Sequence, residues 1–225
     1  MKQNLETILR RIAEVKEKYR SPDDEVRLMA VTKTVDPDKV NFAVDEGVAL
    51  LGENRVQEYL SKKDSYDSSA EDHFIGHLQT NKVKYIIESV SMIQSVDSKK
   101  LADEINRLAA KHGRVMDILI EINIGDEETK SGIDSGAMKE LAEYVSGLEN
   151  VRLRGLMAIP PIGAGESVFE AMHGLYEQLK EMRLPGSRID TLSMGMSGDY
   201  ELAVKHGSTL VRIGSGLFGA RNYNV

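Results

Sequence analysis

The sequence predicts a (β/α)8 barrel of the TIM type preceded by one helix, in a single domain that covers residues 1–225. Eight short apolar runs alternate with seven intervening amphipathic segments of about 10–15 residues, which is the pattern of parallel βαβ units. A chain of 225 residues suits one small barrel of this kind. The runner-up is an open doubly wound sheet, but the first strand-to-helix turn, TKTVDPD (32–38), lacks the G-x-G-x-x-G signature.

The first half of the chain contains a leading helix and four strand–helix pairs. The amphipathic stripe of the leading helix ends near Ser21-Pro22. The strands are predicted at 27–33, 49–52, 73–76 and 91–96. Asp36-Pro37, an N-cap followed by a first-turn proline, opens a helix that reaches about Gly47. Asn54 is predicted to cap the next helix, and two further helices are predicted at 79–88 and 98–112.

The second half repeats the alternation. Strands are predicted at 116–124, 152–159, 191–195 and 209–214. Apolar residues at helical spacing predict helices around 137–148 and 169–179, and a third helix is predicted from about Ser197.

Composition excludes several classes of function. The chain has 29 basic and 36 acidic residues, a net charge of −7 that disfavours nucleic acid or an anionic membrane as the main partner. It has no cysteine, which excludes disulfides, thiolate zinc sites, iron–sulfur clusters and cysteine nucleophiles. No apolar run approaches a membrane span of about 18 residues, so a cytoplasmic protein is predicted. The histidines lack metal-ligand spacing, and no metal site is predicted.

Lys33 is the first candidate for a functional residue, because it closes an otherwise apolar strand where an unpaired charge is costly. A lysine whose amine is made neutral by burial or by a nearby cation can form a Schiff base with a carbonyl group. The alternative is a lysine that extends from the strand end into solvent.

Two glycine-containing turns form the second candidate feature. SMGMSG (193–198) and RIGSG (212–216) follow strands seven and eight, where barrels often bind phosphate through backbone N–H groups. The alternative is that the glycines only permit tight turns. Arg212 is either a buried cation aimed at the ligand or an inward residue paired with a carboxylate such as Glu121. His77 is either an acid–base group or a hydrogen-bonding residue at a strand end.

Several motifs carry a resemblance to a known family. They are AVTKT (30–34), GENRVQE (52–58), HFIGHLQTNK (73–82), NIGDEETKSG (123–132), GLMAI (155–159), LSMGMSGD (192–199) and VRIGSGLFGAR (211–221). In this order they resemble the pyridoxal 5′-phosphate homeostasis protein family. The resemblance implies a fold-type III barrel similar to the N-terminal domain of alanine racemase, which holds pyridoxal 5′-phosphate (PLP).

The resemblance also implies a role for each site residue. Lys33 would hold PLP as a covalent aldimine, and Arg212 would face the pyridine nitrogen. Asn54 and His77 would line the ring. The phosphate would be held by the stretch around Ser193, Met194 and Ser197, together with Gly214 and Ser215.

These roles favour a PLP carrier over an enzyme. An arginine at the pyridine nitrogen leaves it unprotonated, which makes the ring a poor electron sink for amino-acid chemistry. Thirteen residues follow Arg212, too few for the second domain of a racemase, so the free face of the cofactor is expected to be open. The expected partners are PLP and apo forms of PLP-dependent enzymes, and a monomer is expected. The alternatives are a racemase-like enzyme completed by a partner subunit and a cofactor-free, aldolase-type barrel that uses Lys33.

Overall fold

Eight parallel strands close into a barrel in the order in which they occur along the chain. The structure is a computed structural model, and it describes residues 1–125 and 131–219. The strands are β1 Arg27–Val31, β2 Leu50–Glu53, β3 Glu71–Phe74, β4 Met92–Val96, β5 Met116–Ile122, β6 Val151–Ala158, β7 Thr191–Ser193 and β8 Leu210–Ile213. β8 pairs with both β7 and β1, which closes the barrel. The predicted (β/α)8 fold is confirmed, and the open sheet is wrong.

Helices cover the outside of the barrel. The α-helices are α1 Lys2–Tyr19, α2 Pro37–Asp45, α3 Val56–Lys62, α4 Lys99–Lys111, α5 Met138–Ser146, α6 Glu166–Glu181, α7 Tyr200–Lys205 and α8 Ser215–Phe218. Short 3-10 helices lie at Lys63–Ser65, Thr80–Tyr85 and Ser135–Ala137. The predicted cap of α2 is present, since the Asp36 carboxylate accepts a hydrogen bond from the Asp38 N–H. No helix in the described ranges has the length and apolar character that crossing a membrane requires.

Strand alternation separates the two sides of the barrel wall. Outward side chains join the helices in the main core, whereas inward side chains such as Met29, Leu50 and Leu210 form a small apolar cluster inside the barrel. The leading helix α1 buries Leu5 and Ile8 in the core beside α7 and β8, so it covers the outside of the barrel near the seam where it closes. Because side chains occupy the barrel interior, a binding site is expected at the carboxyl ends of the strands.

Four details of the sequence-based prediction are wrong. β1 ends at Val31 instead of residue 33, because the chain turns directly after it: the Val35 N–H donates to the Thr32 carbonyl, and Thr34 within this turn has φ 60°. Asn54 is not a cap: Arg55 occupies the N-cap position of α3, and no side chain caps that helix. The predicted helix at 79–88 is a 3-10 helix at its centre. The helix predicted from Ser197 begins at Tyr200.

Candidate functional site at the barrel mouth

The carboxyl ends of three neighbouring strands bring the main candidate residues together. Lys33 follows β1, the SMGMSG turn follows β7, and the RIGSG turn includes the end of β8. Because β7, β8 and β1 are consecutive in the sheet, Lys33 and both turns lie at one end of the barrel. Val31 lies beside the second turn, since a Cβ added at Gly214 would be 3.5 Å from Val31 Cβ.

Lys33 is held between two anchored threonines. The Thr32 hydroxyl donates to Glu53 Oε1 at 2.5 Å, and the Thr34 N–H donates to Glu58 Oε1 at 2.5 Å. The left-handed backbone of Thr34 costs about 1–2 kcal/mol in an L-residue, and these hydrogen bonds to carboxylates offset it. The result is a half-buried lysine at a fixed strand end.

Glu53 is itself unusual, because it is fully buried next to this strand end. Burial raises its pKa, and the hydrogen bonds from the Thr32 and Tyr66 hydroxyls partly oppose that rise. Its second oxygen, Oε2, has no hydrogen-bond partner in the described residues. Glu53 therefore fixes the base of the Lys33 segment at a cost in desolvation.

Arg212 points into the barrel and is 3% exposed. Its Nη1 donates to Ser193 Oγ at 2.6 Å, and its Nη2 donates to the Ala158 carbonyl at 2.8 Å. Burial lowers its pKa to about 10, an effect that the nearby Glu121 opposes, so the guanidinium remains charged at neutral pH. The hydrogen bonds of Arg212 go to Ser193 and Ala158, whereas Glu121 acts on it through charge.

Ser197 joins the two glycine-containing turns. Its Oγ accepts a hydrogen bond from the Gly216 N–H at 3.0 Å and lies 3.3 Å from Ser215 Oγ. A side chain at Gly216 would crowd this contact, because its Cβ would lie 3.2 Å from Ser197 Oγ. The turns therefore lie side by side, and small residues keep them close.

The structure divides the predicted phosphate residues into two groups. Ser197, Gly214 and Ser215 lie at the mouth and are half-buried or exposed. The Ser193 hydroxyl is buried and hydrogen-bonded to Arg212, and the Met194 side chain packs in the main core outside the barrel. Only the backbone of Met194 can therefore face a ligand at this end.

Asn54 and His77 line a cavity of about 270 Å³ at the same end, together with Glu121 and Asn123. His77 is exposed, and its Nδ1 lies 3.6 Å from an oxygen of Asp97. Two buried polar atoms of the cavity residues, Asn54 Oδ1 and Glu121 Oε2, have no hydrogen-bond partner among the described residues. Buried acceptors of this kind are usually satisfied, so the cavity suits a ligand that carries a polar group.

Glu121 is 5% exposed, and its environment changes its protonation. Burial raises its pKa to about 7, the negative charge of Asp97 adds to this, and Arg212 opposes it. Below that pH the carboxyl group is neutral and can donate a hydrogen bond into the mouth.

Three buried or half-buried residues that support the site received no role from the sequence alone: Glu53, Glu58 and Gln94. Glu53 and Glu58 belong to GENRVQE, where an acid closes a buried strand just as Lys33 follows one. Gln94 was detectable as a polar residue within the apolar run of β4. Part of two motifs, residues 126–130 and 220–221, lies outside the described residues.

The opposite end of the barrel has a larger cavity of about 720 Å³, but its charges are largely paired with one another. Arg154 forms ion pairs with Asp190 and Asp117 there, and Arg20 pairs with Asp24. On the outer surface, Glu166, Glu170 and His206 bring three groups of metal-ligand type together. The ammonium of Lys205 lies 2.6 Å from Glu166, which partly neutralises this cluster.

The fold and the mouth residues agree with one class of protein. Residues 3–222 match the sequence family described as alanine racemase, N-terminal domain, and the chain belongs to that family.

More similar proteins define a smaller family within this one. The pyridoxal phosphate homeostasis protein of Aquifex aeolicus is 43% identical over 98% of both chains, and that of Pasteurella multocida is 41% identical over 100% of this chain and 99% of the relative. The chain therefore belongs to the family of pyridoxal phosphate homeostasis proteins. The solved structure of PipY from Synechococcus elongatus with PLP bound has a TM-score of 0.77 and 32% identity, and the match covers 93% of this chain and 99% of that one.

Proposed function

We propose that this chain binds PLP covalently through Lys33 and serves as a carrier in PLP homeostasis without turning over amino acids. The observation that supports this most directly is the arrangement of β7, β8 and β1. It brings a half-buried lysine to the same end of the barrel as two adjoining small-residue turns. The homologues named pyridoxal phosphate homeostasis proteins and the PLP-bound PipY structure support the same cofactor.

The residues at the barrel mouth are suited to both the phosphate and the pyridine ring of PLP. Ser197, Gly214 and Ser215 would hold the phosphate, because the two turns lie side by side at the barrel mouth, where Ser197 Oγ accepts from the Gly216 N–H. Ser193 and Met194, also predicted at the phosphate, would contribute through the backbone around the turn. Bound PLP supplies an aldehyde carbon that an amine can attack.

At the ring, Arg212 would face the pyridine nitrogen, and Asn54 and His77 would line the ring face. Arginine can only donate hydrogen bonds and stays charged, so a nitrogen that accepts from it stays unprotonated. Such a ring withdraws electrons weakly, which is the basis for proposing that the protein is not an enzyme.

We propose four further properties with this function. The carrier acts as a single domain and a monomer in the cytoplasm, and apo forms of PLP-dependent enzymes receive the cofactor. The net charge of −7 agrees with partners that are neither nucleic acid nor membrane.

A visible spectrum tests the covalent bond. Wild-type protein with added PLP should develop an absorption band that differs from that of free PLP and disappears on borohydride reduction. Lys33→Ala should lose the band, while Lys99→Ala, a change to an exposed lysine of α4, should keep it. Equal bands in wild type and Lys33→Ala would contradict the proposal.

Turnover assays test the carrier role. L- and D-amino acids incubated with the PLP-loaded protein should react no faster than with free PLP. Substantial racemisation or transamination by wild type, lost in Lys33→Ala, would favour the enzyme instead.

A further inference from the structure

A chain of buried hydrogen bonds crosses the barrel interior from Arg212 to the opposite wall. Arg212 Nη1 donates to Ser193 Oγ at 2.6 Å, and Ser193 Oγ donates to Gln94 Oε1 at 2.7 Å. Gln94 Nε2 lies 2.9 Å from His73 Nδ1, and His73 Nε2 lies 3.7 Å from a Glu71 oxygen. The chain links β8, β7, β4 and β3.

The direction of every bond in this chain follows from Arg212. A guanidinium has only donors, so Ser193 must accept from it and give its own proton to Gln94. The Gln94 oxygen is thereby an acceptor, and its amide N–H₂ points to His73. His73 then accepts at Nδ1 and carries its proton at Nε2, toward Glu71.

Burial makes this direction hard to reverse. Ser193 and Gln94 are fully buried, and His73 is 1% exposed. Burial lowers the pKa of His73, more than Glu71 raises it, so the ring stays neutral and has one N–H. If one residue of the chain reversed its hydrogen-bonding direction, two donors or two acceptors would face each other in a place that water does not reach.

The chain determines how Arg212 can be placed. Its guanidinium has two acceptors, the Ala158 carbonyl on β6 and the Ser193 hydroxyl on β7. The carbonyl is fixed by the sheet, but a serine hydroxyl can rotate. The Gln94–His73 pair removes this freedom, because it holds the Ser193 proton on the side away from Arg212.

We propose that Gln94 and His73 are positioning residues that hold Arg212 toward the ring nitrogen of the cofactor from the far wall of the barrel. This inference rests on the proposed PLP function. Neither residue is placed at the ligand, and both act through Ser193. The structure thus assigns a part in cofactor retention to β3 and β4, the two strands that lie opposite the turns proposed to bind the phosphate.

Gln94→Met tests the proposal, because methionine has a similar length but lacks both polar groups. The PLP-loaded variant should release PLP about tenfold faster than wild type, a change on the scale of one buried hydrogen bond, and its absorption maximum should shift. Ser95→Ala is the matched control: its hydroxyl is buried on the same strand without a partner among the described residues, so both readouts should stay at the wild-type values.

His73 provides a second pair of variants should Gln94→Met fail to fold. His73→Gln keeps an acceptor for Gln94 and a donor toward Glu71, and it should behave as wild type does. His73→Leu should release PLP faster. A purely structural role would lower the urea midpoint of the ligand-free variants and leave both PLP readouts unchanged, and that result would overturn the inference. A wild-type protein without the absorption band would instead contradict the proposed function.

Discussion

At the scale of single residues, the placement of Lys33 depends on its two neighbours more than on the strand that precedes it. Each neighbour is a threonine that is hydrogen-bonded to a carboxylate: Thr32 to Glu53, the last residue of β2, and Thr34 to Glu58 in α3. Hydrogen bonds to charged acceptors contribute about 1.5–3 kcal/mol each, enough to keep Thr34 in its unfavourable backbone conformation. The backbone from which the Lys33 side chain extends is therefore fixed on both sides.

Glu121 leads to a prediction about pH and stability. Burial raises its pKa from 4.5 to about 7. Above pH 4.5 the unfolded chain loses this proton while the folded protein keeps it, so stability falls as pH rises toward about 7 and then levels off. Glu121→Gln removes this titration. The free energy of unfolding of the variant minus that of wild type should therefore increase by about 3 kcal/mol between pH 4.5 and 8.

Urea denaturation of the ligand-free protein across that pH range measures the Glu121 effect. The groups that act on this carboxyl are Asp97 and Arg212, and both are present in wild type and variant. Glu143→Gln, the same change on the exposed side of α5, should show no such growth. A difference between Glu121→Gln and wild type that is constant with pH would contradict the prediction.

The sequence predicts some of these residues and not others for a physical reason. Lys33 and Arg212 could be predicted because a charged residue in or directly after an apolar run is recognisable from the sequence alone. The contact between Gln94 and Ser193 joins residues 99 positions apart on opposite walls, and strand alternation indicates only which side chains point inward. Which inward residues meet depends on the tilt and register of the closed barrel.

At the scale of elements, the turn between β7 and α7 depends on Gly195. This residue has φ 96°, and a Cβ there would lie 2.5 Å from Ala203 Cβ. Gly195→Ala should reduce the free energy of unfolding by about 2–4 kcal/mol, since it combines backbone strain with overpacking against α7. Chemical denaturation of the ligand-free protein measures this loss.

Gly198 is the control in the same turn. A Cβ at Gly198 would have no atom within 4 Å, and its φ lies outside the left-handed region. Gly198→Ala should therefore stay within about 0.5 kcal/mol of wild type. Equal effects of the two substitutions would refute the role assigned to Gly195.

The order of the elements could be predicted from periodicity, but the type of one helix could not. Between β3 and β4, Val83, Ile86 and Ile87 have spacings of three and four residues, which fit an α-helix. The structure has a 3-10 helix over Thr80–Tyr85, with i→i+3 hydrogen bonds such as Ile86 N–H to the Val83 carbonyl. The apolar pattern is the same for both helix types over so short a segment.

At the scale of the whole molecule, the barrel places its apolar filling below the mouth and its candidate ligand groups at one end. A ligand that contacts β1, β7 and β8 together stabilises the closure of the barrel, because these strands form its seam. Ligand at about 100 times its Kd adds about 2.7 kcal/mol, which for a chain of this size raises the midpoint temperature by about 5–10 °C.

Comparison of PLP with pyridoxal, which lacks the phosphate, separates the two ends of the ligand. Thermal unfolding at equal ligand concentrations should show a larger stabilisation by PLP, because only PLP carries the phosphate that the turns at Ser197 and Gly214 are proposed to bind. The difference should shrink in Ser197→Ala, which loses the acceptor for the Gly216 N–H. Equal midpoints with both ligands would contradict a phosphate site at these turns.

Peptide mapping after borohydride reduction of the PLP-loaded protein shows whether the ligand is bound at Lys33, since it identifies the amine that carries it. We expect one peptide, the one containing Lys33, to carry the reduced pyridoxyl group at close to one per chain. Modification centred on another lysine such as Lys62, or spread thinly over surface lysines with Lys33 unmodified, would contradict it.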